Sequence, residues 1–162
     1  GDREAAKQVI DKLDAHYQNF ISNLLTTEEA QTKCRAIIAE HFEFLNIILK
    51  ISFNDALNKD ILAQGELFST ALFHYHLEEK GARSVLLPAL DFMKLNEDNE
   101  PDVEYTRQHL SALIVKNSEQ ANLFITQGYI CRNARGEVDN LKRGGSDYTA
   151  SLIGGAIVDD ID

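Results

Sequence analysis

The stretch LKRGGSDYTASLIGG, residues 141–155, joins a glycine turn to an apolar run that is typical of a helix. Gly144 and Gly145 allow backbone angles that other residues avoid, and they let a ligand approach the main chain closely. Ser146 suits a helix N-cap, where free N–H groups and the positive end of the helix dipole face the turn. Arg143 adds a planar cation that matches a carboxylate or a phosphate. The stretch therefore predicts either a small anion site or a plain turn into a helix, with Arg143 solvated.

Asp147, next along the chain, complicates an anion site. A carboxylate in the first turn of a helix stabilises the helix through its dipole. Beside a bound anion, the same carboxylate would repel the ligand unless it also faces a cation. Asp147 therefore either argues against the site or indicates a cationic partner within it.

Composition limits the classes of protein to which the chain can belong. Its 162 residues suffice for one domain with a core, and 44% apolar and 26% charged residues are typical of a globular protein. The net charge of −10 argues against general nucleic-acid binding, although residues 131–143 are locally basic. No apolar run reaches the length of a membrane span, and the charged N-terminus does not resemble a signal peptide, so we expect a cytoplasmic protein without membrane contact. Cys34 and Cys131 form no disulfide or zinc pattern and are expected to be free thiols.

The first half of the chain has helical periodicity. Apolar residues recur every three or four positions through Ala30, Cys34, Ile38 and Leu45. Thr26 or Thr27 is expected to start a helix, and Gly81 to stop one. The predicted helices cover residues 3–25, 27–50 and 59–80, with a connection at 52–58.

In the second half, short β-like runs alternate with helical patterns. This alternation favours an α/β fold whose sheet is mainly parallel. Pro101 is placed to open a helix. Strands are predicted at 84–87, 92–95 and 122–126, a charged loop or hairpin at 131–140, helices at 102–117 and 146–157, and a further strand where the chain ends at 158–162.

Outside the 141–155 stretch, few residues suggest chemistry. Gly65 lies inside a predicted helix, where glycine costs about 1 kcal/mol relative to alanine, so it can mark a close approach beside Glu66. Gly128 follows a predicted strand, the usual place for ligands in open α/β sheets. His74 and His76 are two positions apart and would point to different faces of a helix, so no metal site is predicted. His41 lies on an apolar stripe and is expected to be a core histidine.

Three motifs together resemble the aspartate kinases of the amino acid kinase family: QGELFST (64–70), FITQGYI (124–130) and LKRGGSDYTASLI (141–153). The segment EPDVE (100–104) also resembles that family. The resemblance implies part of a three-layer αβα sandwich. Residues 1–58 would form a helical excursion, and residues 59–162 the aspartate-binding part of the catalytic domain.

The resemblance also implies a reaction and roles for residues. The family transfers the γ-phosphoryl group of ATP, with Mg²⁺, to the side-chain carboxylate of L-aspartate, the first step toward lysine, threonine and methionine. Arg143 would bind a substrate carboxylate with help from Ser146, and Glu66 would meet the substrate ammonium group. Asp147 would serve catalysis by orienting an essential lysine, while Gly128, Gly144 and Gly145 would supply loop backbone. A homo-oligomer is expected, with L-aspartate and ATP as ligands.

The chain departs from the family pattern in two respects. Lys142 stands where the family has a glycine, so the loop backbone is expected to differ. The family's K-F-G-G-T-S motif, which supplies the essential lysine, is not found in these 162 residues, and neither are the rest of the ATP pocket and the regulatory domains. We therefore expect an internal fragment that is inactive by itself. The alternative is a non-catalytic acidic module that binds a small anion or a protein partner.

Overall fold

The computed structural model describes residues 2–51 and 53–158. It confirms an α/β fold in which three long helices precede short strands and further helices. Within the described residues, no helix is long and apolar enough to span a membrane. The elements are α1 (Arg3–Leu24), α2 (Glu28–Ile48), α3 (Asp55–Glu79), β1 (Ser84–Leu86), α4 (Ala89–Phe92), α5 (Val103–Asn117), β2 (Leu123–Ile125), β3 (Ile130–Arg132), β4 (Val138–Asn140) and α6 (Gly145–Ile157).

Side-chain caps set the starts of the helices. Thr27, rather than Thr26, caps α2 by accepting a hydrogen bond from the Ala30 amide. Asn54 caps α3 in the same way, so α3 begins at Asp55 and not at residue 59 as the sequence predicted. The amide oxygen of Asn54 satisfies an N–H that the apolar periodicity cannot reveal. Residue 52 of the predicted connection at 52–58 and residues 159–162 of the predicted strand at 158–162 lie outside the described residues. Val158, the first residue of that predicted strand, is instead the C-cap of α6 in a helical conformation.

The three long helices enclose one hydrophobic core. The Phe42 and Phe68 rings stack with centroids 5.1 Å apart, and the Tyr17 ring lies 4.8 Å from Phe68. Cys34 is fully buried among them, and burial raises its thiol pKa to about 11. This core includes Phe68 from the middle of α3. Since α3 runs from Asp55 to Glu79, the predicted boundary between residues 58 and 59 falls within one continuous helix.

The strands form two small sheets of different type. β1 pairs with β2 in parallel, as predicted, whereas β3 and β4 form an antiparallel hairpin. Gly136 adopts φ +83° in the turn between them, which allows the chain to reverse. The predicted strand at 92–95 is wrong in part, since α4 ends at Phe92 and the residues that follow form only isolated bridges, Lys94 parallel to Arg132 and Leu95 antiparallel to Pro101. Short apolar runs do not distinguish a strand from a helical turn.

A second core lies between the sheets and helices α4 to α6. Its fully buried members include Phe92, Met93, Ile130 and Cys131, and Ala63 of α3 reaches into it. Helix α6 packs along α5, and β4 packs against α3. This core therefore brings the start of α6, the end of the β3–β4 hairpin and one face of α3 to the same side of the molecule.

Candidate functional site

The glycine loop, defined here as residues 141–147, turns the chain from β4 into α6. Lys142 and Gly144 both adopt left-handed backbone conformations, with φ of +60° and +74°. The Gly145 amide donates to the Lys142 carbonyl at 3.1 Å, which closes the turn. Lys142 thus adopts the conformation that a glycine would favour, at a cost of about 1 kcal/mol for a residue with a Cβ atom.

The start of α6 differs by one residue from the prediction. Gly144 is the N-cap residue, without a side-chain cap, and Ser146 therefore lies inside the first turn. The helix begins at Gly145, which packs closely against the Tyr129 ring. A Cβ atom placed on Gly145 would lie only 2.8 Å from Cδ2 of that ring. The preference of serine for N-caps was overridden by this close packing.

The 128–129 turn meets the start of α6 directly. A Cβ atom on Gly128 would lie 2.9 Å from both Cβ and Oγ of Ser146, so only glycine fits without a shift. The Tyr129 amide donates to Thr149 Oγ1 at 3.1 Å, and the Leu141 amide donates to the Tyr129 carbonyl at 2.8 Å. The structure therefore brings Gly128, Gly145 and Ser146 together.

The charged groups of the glycine loop are exposed and unpaired. Among the described residues, neither the Arg143 guanidinium nor the Asp147 carboxylate has a hydrogen-bond or ion-pair partner, and the backbone amides of Ser146 and Asp147 also lack acceptors. A guanidinium beside free amides at the positive end of a helix favours an anionic ligand. The unpaired Asp147 carboxylate, in the first turn of α6, could bind a cation beside that anion.

Glu66 lies on the face of α3 that packs against the α/β half. Thr70, one turn later on the same face, donates to the Glu66 carbonyl at 2.7 Å and accepts from the Gln127 amide at 2.8 Å. Gln127 is 1% exposed, and its Oε1 accepts from the Ala89 amide at 2.8 Å. Helix α3 is thus tied to the residue that precedes Gly128.

No hydrogen bond or ion pair joins Glu66 to Arg143 in the described structure. The half-buried Glu66 carboxylate has no partner there, so both charges remain available to a ligand. A Cβ atom placed on Gly65 would meet no other atom of the described chain within 4 Å, so close packing does not explain this glycine.

Two residues beside the site were missed by the sequence analysis. Lys59 pairs with Asp139 at 2.5 Å, and Gln127 bridges α3 to α4. The spacing of Lys59 and Glu66, at positions i and i+7 of one helix face, was the available signal.

His41 and His74 make their contacts outside the glycine loop, whereas Cys131 lies opposite Asp139 in the β3–β4 hairpin. His41 Nδ1 is 2.9 Å from Gln64 Oε1, its half-buried ring packs against Phe68 of the helical core, and burial lowers the pKa of this histidine. His74 Nδ1 is 3.0 Å from Ser84 Oγ, and burial lowers its pKa as well. Burial raises the pKa of the Cys131 thiol to about 12. In the part of the chain that the structure describes, no group of three metal-binding side chains lies together.

Comparison with protein-family profiles matches residues 3–158 to the amino acid kinase family. The chain belongs to this family, and the resemblance to aspartate kinases that its motifs predicted is confirmed. It is 32% identical over 155 residues to the bifunctional aspartokinase/homoserine dehydrogenase 2 of Escherichia coli K12, a match that covers 94% of this chain and 19% of that protein. It is 32% identical over 123 residues to the lysine-sensitive aspartokinase 3 of the same organism, covering 74% of this chain and 27% of that protein.

The crystal structure of E. coli aspartokinase III in complex with aspartate and ADP has a similar fold. It matches with a TM-score of 0.68 and 30% sequence identity, over 76% of this chain and 29% of that one. The chain therefore spans less than a third of the length of these relatives.

Proposed function

We propose that this chain carries the aspartate-binding part of an aspartate kinase. The whole protein would transfer the γ-phosphoryl group of ATP to the side-chain carboxylate of L-aspartate, the first step toward lysine, threonine and methionine. We place its helical excursion at residues 1–58 and the catalytic part at 59–162, in a cytoplasmic homo-oligomer.

The observation that carries the proposal is the unpaired Arg143 guanidinium at the start of α6, together with the unpaired Glu66 carboxylate on α3. Arg143 and the free amides of Ser146 and Asp147 offer donors to a carboxylate, while Glu66 offers an acceptor to an ammonium group. L-Aspartate has two carboxylates and one ammonium group, so its charges complement this arrangement. A relative of similar fold was solved with aspartate and ADP, which supports the same ligand class.

In this proposal the residues act by positioning and by neutralising charge, the main requirements of phosphoryl transfer. Arg143 holds one substrate carboxylate, with Ser146 beside it, and Glu66 holds the ammonium group. Asp147 orients a lysine supplied from outside these 162 residues. ATP supplies the transferred phosphoryl group. ATP would act together with Mg²⁺, which is usually held by one or two carboxylates and the substrate phosphates.

Calorimetric titration tests the site. We expect the wild-type chain to bind L-aspartate better than succinate, which lacks the ammonium group. Arg143→Ala should lose at least about tenfold in affinity for both ligands, because a charge-assisted hydrogen bond contributes about 1.5–3 kcal/mol. Glu66→Ala should lose the preference for L-aspartate and keep its affinity for succinate.

Two exposed residues provide matched controls for this titration. Arg135 lies in the β3–β4 turn, paired with Glu137, and Glu43 lies on the exposed side of α2. Arg135→Ala and Glu43→Ala should bind L-aspartate as the wild type does. If Arg143→Ala and Glu66→Ala also bound it unchanged, the assignment would be wrong. Equal binding of phosphate and L-aspartate by the wild type would favour the non-catalytic anion module.

The 162 residues alone should show no catalytic turnover. A coupled assay for ADP release should detect no aspartate-dependent activity, because the family's lysine and phosphate-binding motif is not in this sequence. Aspartate-dependent release of ADP would contradict this part of the proposal.

A further inference from the structure

The face of α3 that carries Glu66 is tied to the rest of the site at two points. Lys59, Glu66 and Thr70 lie on this face, since residues at i, i+7 and i+11 of a helix are nearly in line. Thr70 holds one point through its hydrogen bond with Gln127. Lys59 holds the other, by an ion pair with Asp139 that spans 80 residues of sequence.

The Lys59–Asp139 pair differs from an ordinary surface ion pair. Lys59 Nζ lies 2.5 Å from Asp139 Oδ2, and the Asp139 side chain is only 13% exposed. A carboxylate that is so far removed from water is costly to leave without its partner. The pair also lines a groove of about 410 Å³ together with Lys142 and Tyr148 of the adjoining segment.

A chain of hydrogen bonds leads from this ion pair into the glycine loop. Asp139 Oδ1 accepts from the Asn140 amide at 2.8 Å, and Asn140 Oδ1 accepts from the Lys142 amide at 3.1 Å. Lys142 adopts the left-handed conformation that directs the chain toward Arg143. This conformation is unfavourable for a lysine, so contacts around it must hold it in place.

From this geometry we propose that Lys59 and Asp139 are positioning residues that set the spacing between Glu66 on α3 and Arg143 in the glycine loop. The inference rests on the proposed function, because it gives the pair the task of aligning the two charges that bind L-aspartate. Lys59 and Asp139 need not touch the ligand. Their loss would leave Glu66 and Arg143 present but misaligned, and small misplacements of binding groups weaken binding strongly.

A double-mutant cycle on the 162-residue chain tests this role by two readouts. The variants are Lys59→Met, Asp139→Asn and both together, measured by amide hydrogen exchange and by calorimetric titration with L-aspartate. Each single variant should exchange the Asn140 and Lys142 amides several-fold faster and lose about tenfold in affinity. The double variant should be no worse than the single ones, because one interaction is lost in all three. Lys59→Arg, which keeps the ion pair, should remain close to the wild type.

Lys33→Met is the matched control, since it removes the exposed Lys33–Glu29 pair on α2 at 2.8 Å. It should change neither readout. Unchanged amide exchange in Lys59→Met, or losses in the double variant equal to the product of the single ones, would overturn the proposal, even if the melting temperature fell. If the wild type fails to bind L-aspartate, the proposed function is wrong. Amide exchange then decides by itself whether the ion pair orders the loop.

Discussion

At the scale of single residues, two glycines with similar sequence contexts have opposite surroundings. Gly128 lies against Ser146 at the start of α6, whereas Gly65 lies in α3 with open space around its missing side chain. Both follow a glutamine in a motif, and the sequence suggested a close approach at Gly65 and a ligand-binding turn at Gly128. Of the two, only Gly128 makes such an approach within the described structure.

This contrast yields a prediction for alanine substitutions. Gly128→Ala should lower the free energy of unfolding by about 1–3 kcal/mol, because its Cβ atom would overlap Ser146 and displace the start of α6. Gly65→Ala is the control and should raise stability by up to about 1 kcal/mol, since alanine favours a helix interior. Urea denaturation followed by circular dichroism measures both. Equal effects of the two substitutions would contradict the packing described here.

At the scale of elements, the end of α3 is fastened to the turn between α1 and α2. Glu79 Oε1 accepts hydrogen bonds from the Thr26 amide, the Thr27 amide and the Thr27 hydroxyl, at 2.7, 2.7 and 2.9 Å. Gly81, at φ +81°, then ends the helix as predicted. One carboxylate therefore joins all three helices of the first core.

These hydrogen bonds predict a pH dependence of stability. Led by the bond from the Thr27 amide, they lower the pKa of Glu79 from 4.5 to about 2. Because the folded state lowers this pKa, the stabilisation is present above about pH 4.5 and is lost as the pH falls toward about 2. Glu79→Gln should melt below the wild type at pH 7, and the difference should shrink over that range.

Glu43→Gln, an exposed change on α2, is the control for this pH series. It should melt close to the wild type at every pH. If the difference between Glu79→Gln and the wild type were the same at pH 7 and pH 2, the carboxylate would not be the group responsible.

At the scale of the whole molecule, α3 belongs to both hydrophobic cores. Phe68 packs in the helical core, while Ala63 of the same helix packs in the α/β core. Because neither core is complete without α3, the folding of the helical half and the folding of the α/β half depend on each other.

Removal of a core side chain from α3 should therefore destabilise both the helical half and the α/β half. Phe68→Ala should cost about 3–5 kcal/mol and should speed amide exchange in α1 and in α6 together. Hydrogen exchange followed by mass spectrometry measures both segments in one experiment. Faster exchange confined to α1 and α2 would show that the halves unfold separately.

Much of the fold follows from local patterns. Periodicity and capping residues predicted α1, α2 and α5 to within a few residues, because these signals act over one or two turns. The β1 and β2 runs were also predicted, the hairpin was one of two alternatives for residues 131–140, and the three motifs indicated the family. The start of the predicted strand at 92–95 and the start of α3 were misplaced where a short apolar run or a single capping side chain decided the outcome.

The sequence by itself therefore determined most of the elements, their order and the candidate residues Glu66, Arg143 and Asp147. Only the tertiary structure decided how these residues are held. The Lys59–Asp139 pair joins positions 80 apart, and Gln127 is buried between elements that are distant in sequence. Ser146 lost the N-cap to Gly144 because of contacts with the 128–129 turn. Such contacts arise when whole elements pack, and they join residues that lie far apart in the sequence.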